Sequence, residues 1–152
     1  MKNINITIVG LGYVGLPLAI EFSKHFIVKG FDIDQQRINE LISGHDHTNE
    51  ISKEILQNAS DIVFTTKIED IRESNVFIIT VPTPVDNFKK PDLTTLKNAT
   101  NTIAEIIKKD DVIIYESTVY PGCTEEICVP LLEDKSGLIF NKDFFCGYSP
   151  ER

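Results

Sequence analysis

The chain has 152 residues, 41% of them hydrophobic, and a formal net charge of -8. That length is enough to bury one good core and predicts a single domain. The acidity argues against a nucleic-acid partner, which needs clustered Lys and Arg, and no apolar run approaches the roughly 18 residues of a membrane span.

In chain order, Ile4 to Val9 reads as a strand, Val14 to about Lys24 as a helix and Phe26 to Asp32 as a second strand. Gln35 to Ile42 reads as a helix stopped by Ser43-Gly44, and Ser52 to Asn58 as a shorter one after a polar loop. A third strand follows at Asp61 to Thr65 and a turn of helix at Ile68 to Arg72. Asn75 to Val81 is a fully apolar strand, broken by Pro82 and Pro84. From Leu93 to Lys108, Leu96, Ala99, Ile103 and Ile107 recur near helical spacing and define a face for packing on a sheet. Asp111 to Tyr115 gives a fifth strand, Thr124 to Leu132 a helix, and Phe144 to Tyr148 a sixth strand. Strands that are apolar on both faces and alternate with helices predict an α/β domain, a Rossmann-like doubly wound parallel sheet of about six strands covered on both faces.

Within that frame, Gly10-Leu11-Gly12-Tyr13-Val14-Gly15 stands between a strand and a helix, with Asp32 about 20 positions on at the end of the next strand. This is the dinucleotide fingerprint in the context it requires. Gly10 allows the turn out of the strand, Gly12 lets a pyrophosphate approach the backbone, and Gly15 lets the helix pack closely. The phosphates then face helix-terminal N–H groups, so an acidic chain can still bind them. Asp32 can accept hydrogen bonds from both ribose hydroxyls of adenosine and repels an added phosphate, which selects NAD over NADP. Asp34 reads as a helix N-cap. Arg37 pairs with Asp32, lies over the adenine or is a solvated helix residue; the second of these leaves room for NADP. Tyr13 either lies against the cofactor or packs the glycine turn.

Ligands on such sheets bind beyond the carboxyl ends of the strands. The residues there are Val81-Pro82-Thr83-Pro84 after the fourth strand, Glu116-Ser117-Thr118 after the fifth and Ser149-Pro150-Glu151-Arg152 after the sixth. Taken with Gly-Leu-Gly-Tyr-Val-Gly-Leu-Pro, with Glu-Ser-Thr-Val-Tyr-Pro-Gly and with Tyr148 to Arg152, the chain resembles the UDP-glucose/GDP-mannose dehydrogenase family over its whole length. Gly44-x-Asp46-x-Thr48-x-Glu50 and Thr124-Glu125-Glu126 look most like its members that oxidise UDP-N-acetylhexosamines for bacterial surface polysaccharides.

The resemblance implies NAD as cofactor and a UDP-sugar as substrate, oxidised twice at its C6 alcohol to the uronate. It places Val14, Val81, Pro82, Thr83 and Ser117 along the cofactor, and Thr118 near the nicotinamide and the reacting carbon, where it positions a catalytic water or oxygen. Glu151 matches the glutamate that acts as general acid/base on a thioester intermediate. The whole enzyme is expected to be a cytoplasmic homo-oligomer.

Family members continue past this point into a second domain that carries the nucleophilic cysteine. The 152 residues are therefore expected to be an N-terminal NAD-binding part, inactive alone. Two alternatives remain open: a stand-alone NAD-binding or regulatory module, and the nucleotide domain of another hydroxyacid-type dehydrogenase. Cys123, Cys128 and Cys146 stand at no metal-ligand spacing in a sequence without a secretory leader, and read as buried, reduced thiols in a reducing cytoplasm rather than as the nucleophile. The polar stretch His45-Asp46-His47 reads as solvated and not as a metal site.

Overall fold

A computed structural model describes residues 3–150. Six parallel strands, β1 (Asn5–Val9), β2 (Ile27–Phe31), β3 (Val63–Thr65), β4 (Val76–Ile79), β5 (Val112–Tyr115) and β6 (Phe145–Tyr148), form one sheet in the order β3-β2-β1-β4-β5-β6. The chain winds outward from β1 in one direction, then returns to β4 and winds the other way. The carboxyl ends of β1 and β4 therefore flank the point where the connections diverge, and a crevice opens there.

Alternation along the strands divides the core. Ile6 and Ile8 of β1 and Ile78 of β4 face one side, where Leu16, Ala19 and Ile20 of α1 (Gly15–Ser23), Ile38 and Leu41 of α2 (Gln35–Ile42) and Leu56 of α3 (Lys53–Asn58) cover them. Val9, Phe77, Ile79, Ile113 and Tyr115 face the other side, under Leu96 and Ile103 of α4 (Thr94–Ala104) and Leu132 of α5 (Val129–Ser136). Each face buries about a dozen apolar side chains or more, the dominant favourable term in holding such a layer together.

Several boundaries differ from the sequence reading, each for a physical reason. The helix expected from Leu93 to Lys108 stops at Ala104. The Asp111 carboxylate accepts the Lys108 amide at 2.7 Å, and Asp110 turns the chain with a left-handed φ of 72° into β5. The helix expected from Thr124 begins as a wide π turn over Thr124–Cys128, where the Val129 amide donates to the Thr124 carbonyl, and becomes regular only from Val129. Pro130 explains the widening, since it has no N–H to close an ordinary α turn at that point. That helix then runs on to Ser136 and ends on Gly137, whose φ of 73° suits a C-terminal glycine. Elsewhere the expected cap holds: Asp34 accepts the Gln36 amide at 2.9 Å and starts α2.

Candidate cofactor site

Gly10, at the end of β1, turns the backbone with a φ of 95°, and its amide donates to the Phe31 carbonyl of β2 at 2.8 Å. Thr80, just past β4, donates its hydroxyl to the Gly10 carbonyl at 2.6 Å. A Cβ on Gly15 would lie 1.8 Å from that same carbonyl oxygen and 2.4 Å from the Thr80 hydroxyl, so only glycine lets α1 start here. Gly12 differs: a Cβ there would meet nothing within 4 Å. The protein itself does not require glycine at 12, so the open space above its backbone is available to a ligand. Among the described residues, the amides of Gly12, Tyr13 and Val14 donate to no protein acceptor. They stand at the N-terminus of a nine-residue helix, where unpaired N–H groups and the helix dipole favour an anion.

Two adjoining cavities share Gly12, Thr80, Val81 and Pro82. One, of about 350 Å³, runs from Phe31, Asp32 and Ile33 across the glycine turn to Ala99 of α4. The other, of about 310 Å³, is bounded by Tyr13, Val14, Thr83, Pro84, Glu116, Ser117 and Thr118. End to end they make a crevice with the anion cradle in the middle, the shape a dinucleotide needs. Asp32 is fixed at the first end: one carboxylate oxygen accepts the Leu11 amide at 2.9 Å and the other the Asp34 amide at 3.0 Å. At the second end the Thr83 hydroxyl donates to the Thr118 carbonyl at 2.5 Å, which stitches the loops after β4 and β5 together. The Ser117 hydroxyl is spent on the Val81 carbonyl at 2.8 Å, so Ser117 shapes this wall more than it can bind with its side chain. Tyr13 is 62% exposed and stands at the rim, not packed beneath the turn.

The structure thus brings Gly10, Gly12, Tyr13, Val14, Gly15, Asp32, Val81, Pro82, Thr83, Ser117 and Thr118 to one crevice. Glu151 lies outside the described residues. Arg37 lines neither cavity. It is neither solvated nor paired with Asp32, because its guanidinium is 5% exposed and is taken up by Asp46 at 2.9 Å, Glu40 at 3.0 Å and the Leu11 carbonyl at 2.8 Å. The expectation that Asp46 is solvated is corrected with it: its side chain is fully buried. Beside it, His47 Nδ1 lies 2.6 Å from Glu40, and no three metal-binding side chains converge among the described residues. Thr80 was not singled out from sequence. Its apolar setting reads as strand interior, and only the fold reveals the hydroxyl wedged against the glycine turn.

Cys123 and Cys128 are buried and Cys146 half-buried, all as free thiols. Burial pushes the Cys128 thiol up to about 11 and Cys146 to about 12, which suits structural rather than nucleophilic sulfur. No helix among the described residues is long and apolar enough to cross a membrane.

The chain matches the sequence profile of the UDP-glucose/GDP-mannose dehydrogenase family, NAD binding domain, over residues 4–152. It is 58% identical, over its full length, to the UDP-N-acetyl-D-glucosamine 6-dehydrogenase of Pseudomonas aeruginosa, covering 36% of that protein. It is 52% identical to Protein CapL of Staphylococcus aureus over 99% of this chain and 35% of that one. Among solved structures, a UDP-D-ManNAc dehydrogenase from Pyrococcus horikoshii superposes with a TM-score of 0.90 at 38% identity, covering 98% of this chain and 36% of that one. The chain therefore spans about a third of the length of the curated relatives it matches. With a parallel six-stranded sheet, a glycine turn under an open anion cradle and a profile match across almost every residue, the chain belongs to the UDP-glucose/GDP-mannose dehydrogenase family and is its NAD-binding domain.

Proposed function

We propose that NAD binds along the crevice between the carboxyl ends of β1 and β4, in a protein that oxidises the C6 alcohol of a UDP-N-acetylhexosamine to the uronate. The observation that carries the binding reading is Gly12, where space above the backbone is left open next to three unused amides. The Gly12, Tyr13 and Val14 amides would hold the pyrophosphate, with Gly10 and Gly15 shaping the turn. Asp32 would accept the adenosine ribose hydroxyls, and its charge would exclude a 2′-phosphate. Val81, Pro82, Thr83, Ser117 and Thr118 would wall the nicotinamide end. When bound, NAD supplies a hydride acceptor for alcohol oxidation.

Thr118 is exposed at that end, with its main chain fixed by Thr83, and so stands where it would orient a water or a sugar oxygen. Glu151 would serve as general acid/base in releasing the uronate. The relatives named as UDP-N-acetyl-D-glucosamine 6-dehydrogenases, at 58% and 54% identity, support the sugar class. The buried free thiols support a reducing cytoplasm, and the exposed Val85 and Phe88 give the whole protein surface for self-association.

Crystals grown with NAD test the site. Pyrophosphate density against residues 12–14 and a ribose on Asp32 are expected; cofactor bound elsewhere would overturn the reading. For the substrate, a longer protein carrying this domain should reduce two NAD per UDP-N-acetylhexosamine, followed at 340 nm, and failure with every such sugar would reject the class.

A further inference from the structure

A second set of charged residues, outside both cavities, reaches the glycine turn from behind. Asp46, buried in the loop after α2, accepts the Thr48 hydroxyl at 2.7 Å and the Thr48 amide at 3.1 Å on one oxygen, and the Glu50 and Ile51 amides at 3.0 Å each on the other. The first oxygen also pairs with Arg37 Nη2 at 2.9 Å. Arg37 in turn donates its Nε–H to the Leu11 carbonyl, 26 positions away in the middle of the fingerprint. Leu11 is thereby held from both sides, its amide by Asp32 and its carbonyl by Arg37.

A guanidinium that served only to fasten α2 to its own loop would need Asp46 and Glu40 alone. Instead its Nε–H goes to the peptide that joins Leu11 to Gly12, where a ligand's phosphates would lie. Burial alone would raise the Asp46 pKa, but the Thr48 hydroxyl, the Ile51 amide, Arg37 and the Thr48 amide outweigh it and hold the carboxyl at about 2, so the counter-charge to Arg37 is always present at neutral pH. Take that charge away and the only carboxylate left to Arg37 is the partly exposed Glu40, which draws the guanidinium outward. A buried cation short of its carboxylate moves toward water, and the Leu11 carbonyl loses its donor.

We propose that Asp46 is a positioning residue for cofactor binding: acting through Arg37, it fixes the Leu11–Gly12 peptide and so aims the amides that receive the pyrophosphate. The proposal rests on the NAD-site reading above and extends it to a loop that touches neither cavity.

Five variants of the chain test it by NAD titration calorimetry, thermal melts and ¹⁵N spectra. Asp46→Asn puts an N–H₂ in place of one carboxylate oxygen; each oxygen accepts from at least two donors, so at least two partners lose their acceptor and Arg37 loses the Asp46 charge. Arg37→Lys keeps the charge but loses the fork that reaches Asp46 and Leu11 together. Each should raise the NAD Kd about tenfold and shift the Leu11 and Gly12 amide signals before ligand is added, because small displacements of a preorganised site are costly. The double variant should bind no worse than the weaker single one, since both cut the same chain of contacts. Leu132→Ala, under the opposite face of the sheet, should lower the Tm at least as far with an unchanged Kd. If Asp46→Asn melts early but binds NAD as the parent does with unmoved Leu11 and Gly12 signals, Asp46 is structural only and the proposal fails. Gly12→Val separates the two ideas: if it leaves NAD affinity unchanged, the cofactor site itself is misplaced.

Discussion

Two glycines three residues apart should respond to alanine in opposite ways. At Gly15 an added methyl carbon would sit 1.8 Å from the Gly10 carbonyl oxygen and 2.4 Å from the Thr80 hydroxyl, well inside contact distance. Relief needs the first turn of α1 to move away from β1 by more than an ångström, in a region where Leu16 and Ala19 are fully buried. Overpacking of this kind costs about 3 kcal/mol, and in a domain of this size that lowers the Tm by roughly 6 to 12 °C. At Gly12 the same methyl meets nothing within 4 Å, and its φ lies outside the left-handed region. Gly12→Ala should therefore melt within about 2 °C of the parent, since exposed changes away from special features stay within about 0.5 kcal/mol. Its NAD affinity should nevertheless fall, about tenfold or more, because the methyl stands where the pyrophosphate must approach. Differential scanning fluorimetry with and without NAD reads both effects. Equal melting losses for the two variants, or full NAD affinity in Gly12→Ala, would refute the division of labour between a structural and a ligand-facing glycine.

Three other outcomes follow from the buried groups. Thr80→Val should weaken NAD binding and cost about 1 to 3 kcal/mol in chemical denaturation, because the partly buried Gly10 carbonyl loses its 2.6 Å donor while the volume stays the same. Asp46 titrates at about 2 in the folded chain against 3.8 in the unfolded one. A depressed carboxyl contributes stability above the unfolded value and loses it as pH falls through the folded one, so about 2 kcal/mol should vanish between roughly pH 4 and pH 2. The acid-denaturation curve of Asp46→Asn should lack that component. Iodoacetamide should label Cys128 slowly at pH 8 and quickly only in denaturant, since a buried thiol titrating at about 11 is about one part in a thousand thiolate there; mass spectrometry showing rapid native labelling would contradict its burial.

The sheet and the residues that line the crevice were legible because they follow rules that act over a few positions. Strands such as residues 76–79 and 112–115 are short unbroken apolar runs, glycines at 10, 12 and 15 have a fixed spacing, and loops after parallel strands fall at one edge. Arg37 and Asp46 were misjudged because their partners are distant or unusual. Nothing around Arg37 in sequence shows that its Nε–H reaches the Leu11 carbonyl, and Asp46 stands between two histidines in a stretch as polar as any solvated loop. Its burial arises from a turn in which the carboxylate collects amides from residues 48, 50 and 51, a pattern that only coordinates reveal. Thr80 was hidden for the opposite reason, since its neighbours Ile79 and Val81 make it look like ordinary strand. The early end of α4 and the π turn before α5 are cases where a local competitor overrode helical periodicity: the Asp111 carboxylate in one, the missing amide of Pro130 in the other.

Parallel calorimetric titrations of the chain with NAD and with NADP address the crevice and its Asp32 end together. Asp32 is held by the Leu11 and Asp34 amides with both oxygens fixed, so its charge cannot move away from an incoming 2′-phosphate. Arg37 cannot compensate while Asp46 and Glu40 hold it. NAD should bind at least about tenfold tighter than NADP, a difference of about 1.4 kcal/mol, and Asp32→Ala should weaken NAD. Equal affinities for the two cofactors would contradict the assignment of Asp32 as the residue that selects NAD.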